Sequence, residues 1–118
     1  MSGQTLPEID VHELARKLAS GENFLLLDVR EAWEVDQAAI AESRLEVVAM
    51  SRLAQEGIAA LPAAGRDPQT AIYVLCHHGV RSAAVTTWLI SQGWQHVFSV
   101  RGGIDEYARS IDPTVGKY

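Results

Sequence analysis

The chain contains one cysteine, and the polar residues that directly follow it could support chemistry on a thiolate. The segment reads Cys76-His77-His78-Gly79-Val80-Arg81-Ser82. The apolar, β-branched run 70–75 precedes it and is typical of a buried strand, whereas 83–92 has the apolar spacing of a helix. Cys76 is therefore predicted to lie in a strand-to-helix turn, where inward N–H groups and the helix N-terminus favour an anion. A thiolate in such a turn would be a strong nucleophile.

The residues after the cysteine have predicted roles in this turn. Gly79 permits the backbone angle that a tight loop needs, and Ser82 is predicted to cap the following helix. Arg81 adds a fixed positive charge that either binds an anionic substrate or, as we favour, holds the loop by bonding carbonyl groups. His77 and His78 either supply positive charge when protonated or are solvated loop residues.

The alternative for a lone cysteine is a small buried hydrophobe with no chemical role. A core cysteine would be expected inside the apolar run, whereas Cys76 stands at its end. The position therefore favours a functional thiol.

The composition predicts one globular domain over residues 1–118. Apolar residues make up 47% of the chain and charged residues 21%. The net charge of −5 argues against nucleic-acid binding. No stretch approaches the roughly 20 apolar residues of a membrane span, and residues 1–5 lack the features of a signal peptide. A single cysteine excludes an internal disulfide, so we expect a reducing, cytoplasmic location.

Strands are predicted to alternate with helices along the chain. The predicted strands are 6–9, 24–27, 45–48, 70–75 and 96–100. Between them, Asp10 is predicted to cap a helix that ends at Gly21, with Glu13 as its capping-box partner, and 33–35 forms a short helical turn. Ser51 is predicted to cap a helix to about Leu61. The segments 62–69 and 112–118 are predicted to be irregular, and 104–109 a last helix. This alternation is typical of an α/β protein with a parallel sheet between two helical layers.

Polar residues follow three of the predicted strands. In such sheets, functional sites lie beyond the carboxyl ends of the strands. Asp28, Arg30 and Glu34 are predicted to form an ion-pair frame under the Cys76 turn, and Arg101 is predicted to line the mouth of the site. Asp28–Arg30, Cys76–Ser82 and Arg101–Gly103 each follow a strand end, so these three segments are predicted to converge on one edge of the sheet.

These motifs together resemble one known family. They are Asp28-Val29-Arg30-Glu31 with Glu34, then Cys76-x-x-Gly79-x-Arg81-Ser82, then Gly102-Gly103-Ile104. The chain resembles the rhodanese family of single-domain sulfurtransferases, and its end, with Asp112-Pro113 and Tyr118, is similar to rhodanese modules appended to ubiquitin-like activating enzymes. The resemblance implies a five-stranded parallel sheet in a three-layer α/β/α fold. It also implies that Cys76 carries sulfur, cradled by the backbone of residues 77–82.

Two positions depart from the pattern of that family. Many relatives have Gly-His-Ile-x-Gly-Ala after the second strand, where this chain has Ala38-Ala39-Ile40-Ala41-Glu42-Ser43, without the glycine turn. Many thiosulfate-using relatives carry Arg or Lys directly after the cysteine, where this chain has His77. The second difference concerns the choice of sulfur donor.

The resemblance implies a thiosulfate sulfurtransferase of the rhodanese type. A donor such as thiosulfate would load Cys76 as a persulfide, and cyanide, a thiol or a protein cysteine would accept the sulfur. We expect no cofactor and no metal, because Cys76, His77 and His78 would be adjacent ligands that lack a fourth partner. The oligomeric state is not predicted.

Two alternatives belong to other classes of protein. The first is a non-catalytic rhodanese-like module that binds a protein partner. The second is a phosphatase or arsenate reductase of the same fold. That second reading is disfavoured because four residues separate Cys76 from Arg81, where those phosphatases have five.

Overall fold

The computed structural model describes residues 5–118, and within them five strands form one sheet. The strands are β1 Glu8–Ile9, β2 Leu25–Asp28, β3 Leu45–Val47, β4 Ile72–Leu75 and β5 Val97–Val100. Their order is β1-β5-β4-β2-β3, and every neighbouring pair is parallel. The prediction of a five-stranded parallel sheet is confirmed. The prediction that residues 1–5 lack the features of a signal peptide includes residues 1–4, which lie outside the described residues.

Within residues 5–118, four α-helices connect the strands and a fifth follows β5. They are α1 Val11–Leu18, α2 Ala32–Gln37, α3 Met50–Glu56, α4 Val80–Ser91 and α5 Gly103–Ser110. Short 3₁₀ turns are Gly57–Ala60, Ala63–Gly65 and Pro113–Val115. None of the helices in this described range is long and apolar enough to cross a membrane. That residues 1–118 form one domain stays a prediction.

The central strands are buried on both faces, which explains their continuous apolar runs. Leu25 and Leu27 pack in one core with residues of α3 and α4. Leu26, between them, packs in a second core with residues of α1 and α5. Successive side chains of a strand point to opposite faces, so a strand between two helical layers needs apolar residues at every position. The predicted three-layer α/β/α arrangement is confirmed.

The start of α1 is as predicted, whereas the start of α3 is not. The Glu13 N–H donates to Asp10 Oδ1 (2.8 Å) and the Asp10 N–H to Glu13 Oε1 (3.2 Å), which is a capping box. The prediction that Ser51 caps α3 is wrong. That helix begins at Met50, and the Ser51 hydroxyl donates to Glu31 Oε2 (2.9 Å). A serine next to a helix start is therefore not sufficient evidence of a cap, since a nearby carboxylate competes for its hydroxyl.

The connection that lacks the glycine turn runs beside the C-terminal tail. Ala38 forms an antiparallel bridge with Gly116, and the Ala39 N–H donates to Val115 O (2.9 Å). Ile40 is buried between these segments and the sheet core. The tail, predicted to be irregular, thus contains a 3₁₀ turn and a bridge, and it brings Tyr118 to the carboxyl edge of the sheet.

Candidate active site

The sulfur of Cys76 is buried and accepts hydrogen bonds from the backbone. Cys76 directly follows β4 and is 1% exposed. Its Sγ accepts the N–H groups of Gly79 (3.1 Å) and Ser82 (3.3 Å), and its thiol donates to Ser82 Oγ (3.3 Å). Two backbone dipoles aimed at one sulfur favour negative charge on that sulfur.

Ser82 contributes to the floor of this site, and the prediction that it caps the helix is wrong. Gly79 is the N-terminal cap, with a φ of 105° in the left-handed region, and α4 begins at Val80. Ser82 therefore falls in the first turn and faces Cys76. Its Oγ lies 3.2 Å from Gly79 O and 2.8 Å from Ser99 Oγ. The chain turns earlier than predicted because glycine adopts the left-handed angle without steric cost.

The loop is attached to the N-terminus of α5 through two of its carbonyl groups. The Ile104 N–H donates to Cys76 O (2.9 Å), and the Asp105 N–H donates to His77 O (3.1 Å). In a trans peptide the N–H points opposite to the C=O. The N–H groups of His77 and His78 therefore point away from α5. This arrangement depends on Gly103, since a Cβ there would lie 2.5 Å from Cys76 O.

Two bidentate ion pairs support the loop. Arg30 Nε and Nη2 donate to Asp28 Oδ1 (3.0 Å) and Oδ2 (2.7 Å), with both side chains fully buried. Arg81 Nη1 and Nη2 donate to Glu34 Oε2 (2.6 Å) and Oε1 (2.7 Å). Tyr118 joins the pairs, because its hydroxyl accepts from Arg30 Nη1 (3.2 Å) and donates to Glu34 Oε1 (3.1 Å). The structure thus brings the predicted frame residues together under the loop.

Arg81 uses its guanidinium on a carboxylate and not on loop carbonyls. Its hydrogen bonds lower the pKa of Glu34 to about 2, and the same contact raises the pKa of Arg81. Both groups therefore stay charged at neutral pH. This geometry favours a structural role for Arg81, with a partner that differs from the one expected.

Glu34→Gln is expected to lower the free energy of unfolding at pH 7. The shift from the ordinary value of 4.5 to about 2 corresponds to roughly 3 kcal/mol at most. Because Arg81 is one-third exposed, we expect a loss of about 2 kcal/mol. The pKa is lowered in the folded state, so this contribution is complete above about pH 4.5 and disappears as the pH falls towards 2.

Urea unfolding of both proteins between pH 7 and pH 3 measures this difference. Glu56→Gln is the matched control, because Glu56 pairs with Arg52 (3.1 Å) on the exposed face of α3. That variant should change the free energy of unfolding by less than about 0.5 kcal/mol. If the difference in free energy of unfolding between Glu34→Gln and wild type stays constant down to pH 3, the ion pair of Glu34 with Arg81 does not account for it.

An aromatic and imidazole stack borders the loop. The His77 ring lies parallel to that of Tyr118, with centroids 3.9 Å apart, and the His78 ring is 3.9 Å from that of His77. Burial, with the nearby charge of His78, lowers the pKa of His77 below its usual value. His77 is therefore neutral near pH 7, whereas the side chain of His78 is 62% exposed.

The segment after β5 and two residues that sequence patterns did not indicate lie near the site. Arg101 contacts Asp10 at the start of α1 (Nη2–Oδ2 3.8 Å), and its place at the mouth of the site stays a prediction. Gly103 contacts the Cys76 loop, in agreement with the predicted convergence of its segment on this edge. Ser99 and Tyr118 contact the site without having been predicted to do so. A polar residue inside the apolar run of β5 was the one available signal for Ser99.

Comparison with known proteins agrees with this fold. Residues 10–110 match the family model of the rhodanese-like domain. A sulfurtransferase from Allochromatium vinosum is 32% identical over 113 residues, covering 92% of this chain and 94% of the relative. A rhodanese-related protein from Thermoplasma volcanium superposes with a TM-score of 0.68 at 26% identity, covering 89% of this chain and 93% of that protein. The chain belongs to the rhodanese-like domain family.

Some relatives are much longer than this chain. The rhodanese-like/PpiC domain-containing protein 12, chloroplastic, of Arabidopsis thaliana is 31% identical over 119 residues. The match covers 98% of this chain but 38% of that relative. The domain thus also occurs as one part of larger proteins.

Proposed function

We propose that this chain is a sulfurtransferase that carries sulfane sulfur on Cys76 as a persulfide. The observation that supports this most is the pair of N–H groups, from Gly79 and Ser82, directed at a buried Sγ. The first N–H groups of α4 have no partner inside the helix, so they are available to an additional sulfur atom. The resemblance to a protein named sulfurtransferase supports the same activity.

The proposed reaction has two half-reactions that balance. The Cys76 thiolate attacks the outer sulfur of thiosulfate, the bond between the two sulfurs of the donor breaks with its electron pair going to sulfite, and a Cys76 persulfide anion forms. An acceptor then attacks the outer sulfur of the persulfide, and the electron pair of that S–S bond returns to Cys76 as thiolate. Cyanide leaves as thiocyanate, while a thiol or protein cysteine leaves as a persulfide. With a single cysteine, an external acceptor must take the sulfur.

Phosphate chemistry is less compatible with these contacts. A phosphatase of this fold would need an arginine free to bind phosphate oxygens, but both Nη atoms of Arg81 bond Glu34. A thiol that is 1% exposed also favours a donor that presents one terminal sulfur atom. We therefore propose sulfur transfer in preference to phosphate-ester hydrolysis.

Initial-rate kinetics test the covalent intermediate. Thiosulfate and cyanide are varied together, and formation of thiocyanate is measured. A persulfide intermediate predicts a ping-pong pattern, with parallel double-reciprocal lines. Intersecting lines would indicate a ternary complex and would contradict the proposal.

His77→Arg is expected to increase kcat/KM for thiosulfate a few-fold at low salt. The donor is a dianion, His77 is neutral near pH 7, and a guanidinium in its place adds a permanent positive charge beside the loop. The gain should decrease as salt is added, since exposed charges are screened over about 8 Å at physiological ionic strength. His96→Arg adds the same charge at the opposite edge of the sheet and should leave kcat/KM unchanged. Equal effects of both substitutions would mean that only net charge matters.

A protein-binding role for the same face is the second candidate function. Two apolar side chains near the site are exposed, Trp33 by 63% and Val80 by 79%. Trp33 packs edge-on against Tyr118, with ring centroids 6.2 Å apart. Aromatic residues are enriched where proteins bind one another. A protein that binds this face could bring a cysteine to the persulfide, so we propose a protein thiol as the acceptor in this case.

The cytoplasm stays the predicted compartment. The net charge of −5 still argues against a nucleic-acid partner.

A further inference from the structure

A second group of polar side chains lies where the Cys76 loop meets α5. His77, His78 and Asp105 each offer one ligand atom, and these three atoms lie within 4.8 Å of one another. In the described range, 5–118, no other set of three or more His, Cys, Asp or Glu side chains lies so close together. The Cys76 thiol is not a member of this group. The group can therefore have a function separate from sulfur transfer.

We propose that these three side chains bind a late first-row divalent metal ion, with Zn²⁺ as the representative case. Two imidazoles and one carboxylate are donors that such ions accept, and three protein ligands leave a position for water. Bonds to zinc of about 2.0–2.2 Å place two ligand atoms at most about 4.4 Å apart, so at most a small side-chain rotation separates this group from a binding geometry. His78 Nδ1 is already 3.7 Å from Asp105 Oδ2, and the exposed side chain of His78 is able to rotate.

Two of the three ligands are held in place before any metal arrives. The Asp105 N–H donates to His77 O (3.1 Å), which fixes the first turn of α5 against the loop. The His77 ring is held by its stack on Tyr118 at 3.9 Å. Pre-organised ligands lose less conformational freedom on binding, which favours affinity.

Asp105 explains why the sequence alone disfavoured a metal at this loop. Cys76, His77 and His78 are the candidate ligands that the sequence indicates. They are adjacent in the chain and lack a fourth partner. The fold supplies a carboxylate from α5 and leaves the thiol out. A ligand contributed by a separate helix is visible only once the helix is seen to pack against the loop.

Arg109 opposes the proposed metal and therefore provides a sensitive test. Its Nη2 lies 3.4 Å from Asp105 Oδ2 and 2.8 Å from Glu106 Oε1. This guanidinium competes for the carboxylate and repels a cation. Removing its charge should strengthen metal binding, an effect that a misfolded variant would not produce.

Isothermal titration of Zn²⁺ into the purified wild-type protein, in a buffer that does not chelate zinc, tests the proposal. We expect one ion per chain. His78→Asn and Asp105→Asn should each raise the Kd at least about tenfold, whereas Arg109→Gln should lower it about threefold. Cys76→Ser and the matched control His96→Asn should bind zinc as wild type does.

Three results would overturn the proposal, and circular dichroism of each variant verifies its fold. They are the absence of zinc binding to wild type, an unchanged Kd in both His78→Asn and Asp105→Asn, and loss of binding in Cys76→Ser, which would assign the metal to the thiol. Because the readout is binding, a failure of the proposed sulfur transfer would leave this result interpretable.

Discussion

Cys76→Ser is expected to reduce sulfur transfer from thiosulfate to cyanide by at least about 1,000-fold. A serine hydroxyl is a far weaker nucleophile than a thiolate, and it forms no persulfide. The protein should still fold, because serine fits the same position and its hydroxyl can accept the N–H groups of Gly79 and Ser82 that now bond the sulfur. Thiocyanate formation measures the activity, and thermal unfolding verifies the fold.

Comparison with a loop variant separates loss of the nucleophile from loss of the loop. Arg81→Lys keeps the positive charge but loses the bidentate bond to Glu34, so it should weaken the support while leaving the thiol in place. We expect Arg81→Lys to transfer sulfur much faster than Cys76→Ser does. Residual activity clearly above about 0.1% of wild type in folded Cys76→Ser would contradict the proposed intermediate.

Gly103→Ala is expected to lower the free energy of unfolding by about 3 kcal/mol or more, and to lower the transfer rate of the molecules that remain folded. The φ of Gly103 is +63°, where a side chain is strained by about 1–3 kcal/mol. In addition, the new Cβ would lie 2.5 Å from Cys76 O. The loop or α5 must then move, which disturbs the carbonyl contacts that orient the loop.

Gly93→Ala is the matched control for Gly103→Ala. Gly93 also has a positive φ, of 106°, but a Cβ there would meet nothing within 4 Å. We expect this control to lose about 1 kcal/mol and to transfer sulfur at the wild-type rate. Urea unfolding and the transfer assay are applied to both variants. Equal losses of stability and activity in the two would show that backbone strain, and not the contact with the loop, explains the effect.

Local sequence patterns were enough to predict the strands of the sheet and part of the ion-pair frame under the Cys76 loop. The apolar runs around Leu26 and Val74 identified strands that need burial on both faces. The capping box of Asp10 and Glu13 depends on a spacing of three residues, and the Asp28–Arg30 pair on a spacing of two. Features whose physical cause lies within a few residues can be predicted from one sequence.

The remaining parts of the site depend on packing between distant segments. Tyr118 reaches Glu34 because the tail pairs with the connection after α2, and no local pattern indicates that pairing. Ser99 meets Ser82 because β5 lies beside β4. The wrong prediction that Ser82 caps α4 has a related cause. Because α4 begins at Val80, Ser82 lies in its first turn and its hydroxyl faces Cys76. Strand order and helix placement decide these contacts.

The most direct test of the central claim is the intact mass of the protein after incubation with thiosulfate. The account predicts that wild type gains the mass of one sulfur atom, that cyanide removes the added sulfur, and that Cys76→Ser gains none. The same sample without thiosulfate is the control for oxidation. No gain in wild type with thiosulfate or a persulfide donor, or an equal gain in Cys76→Ser, would contradict a persulfide on Cys76.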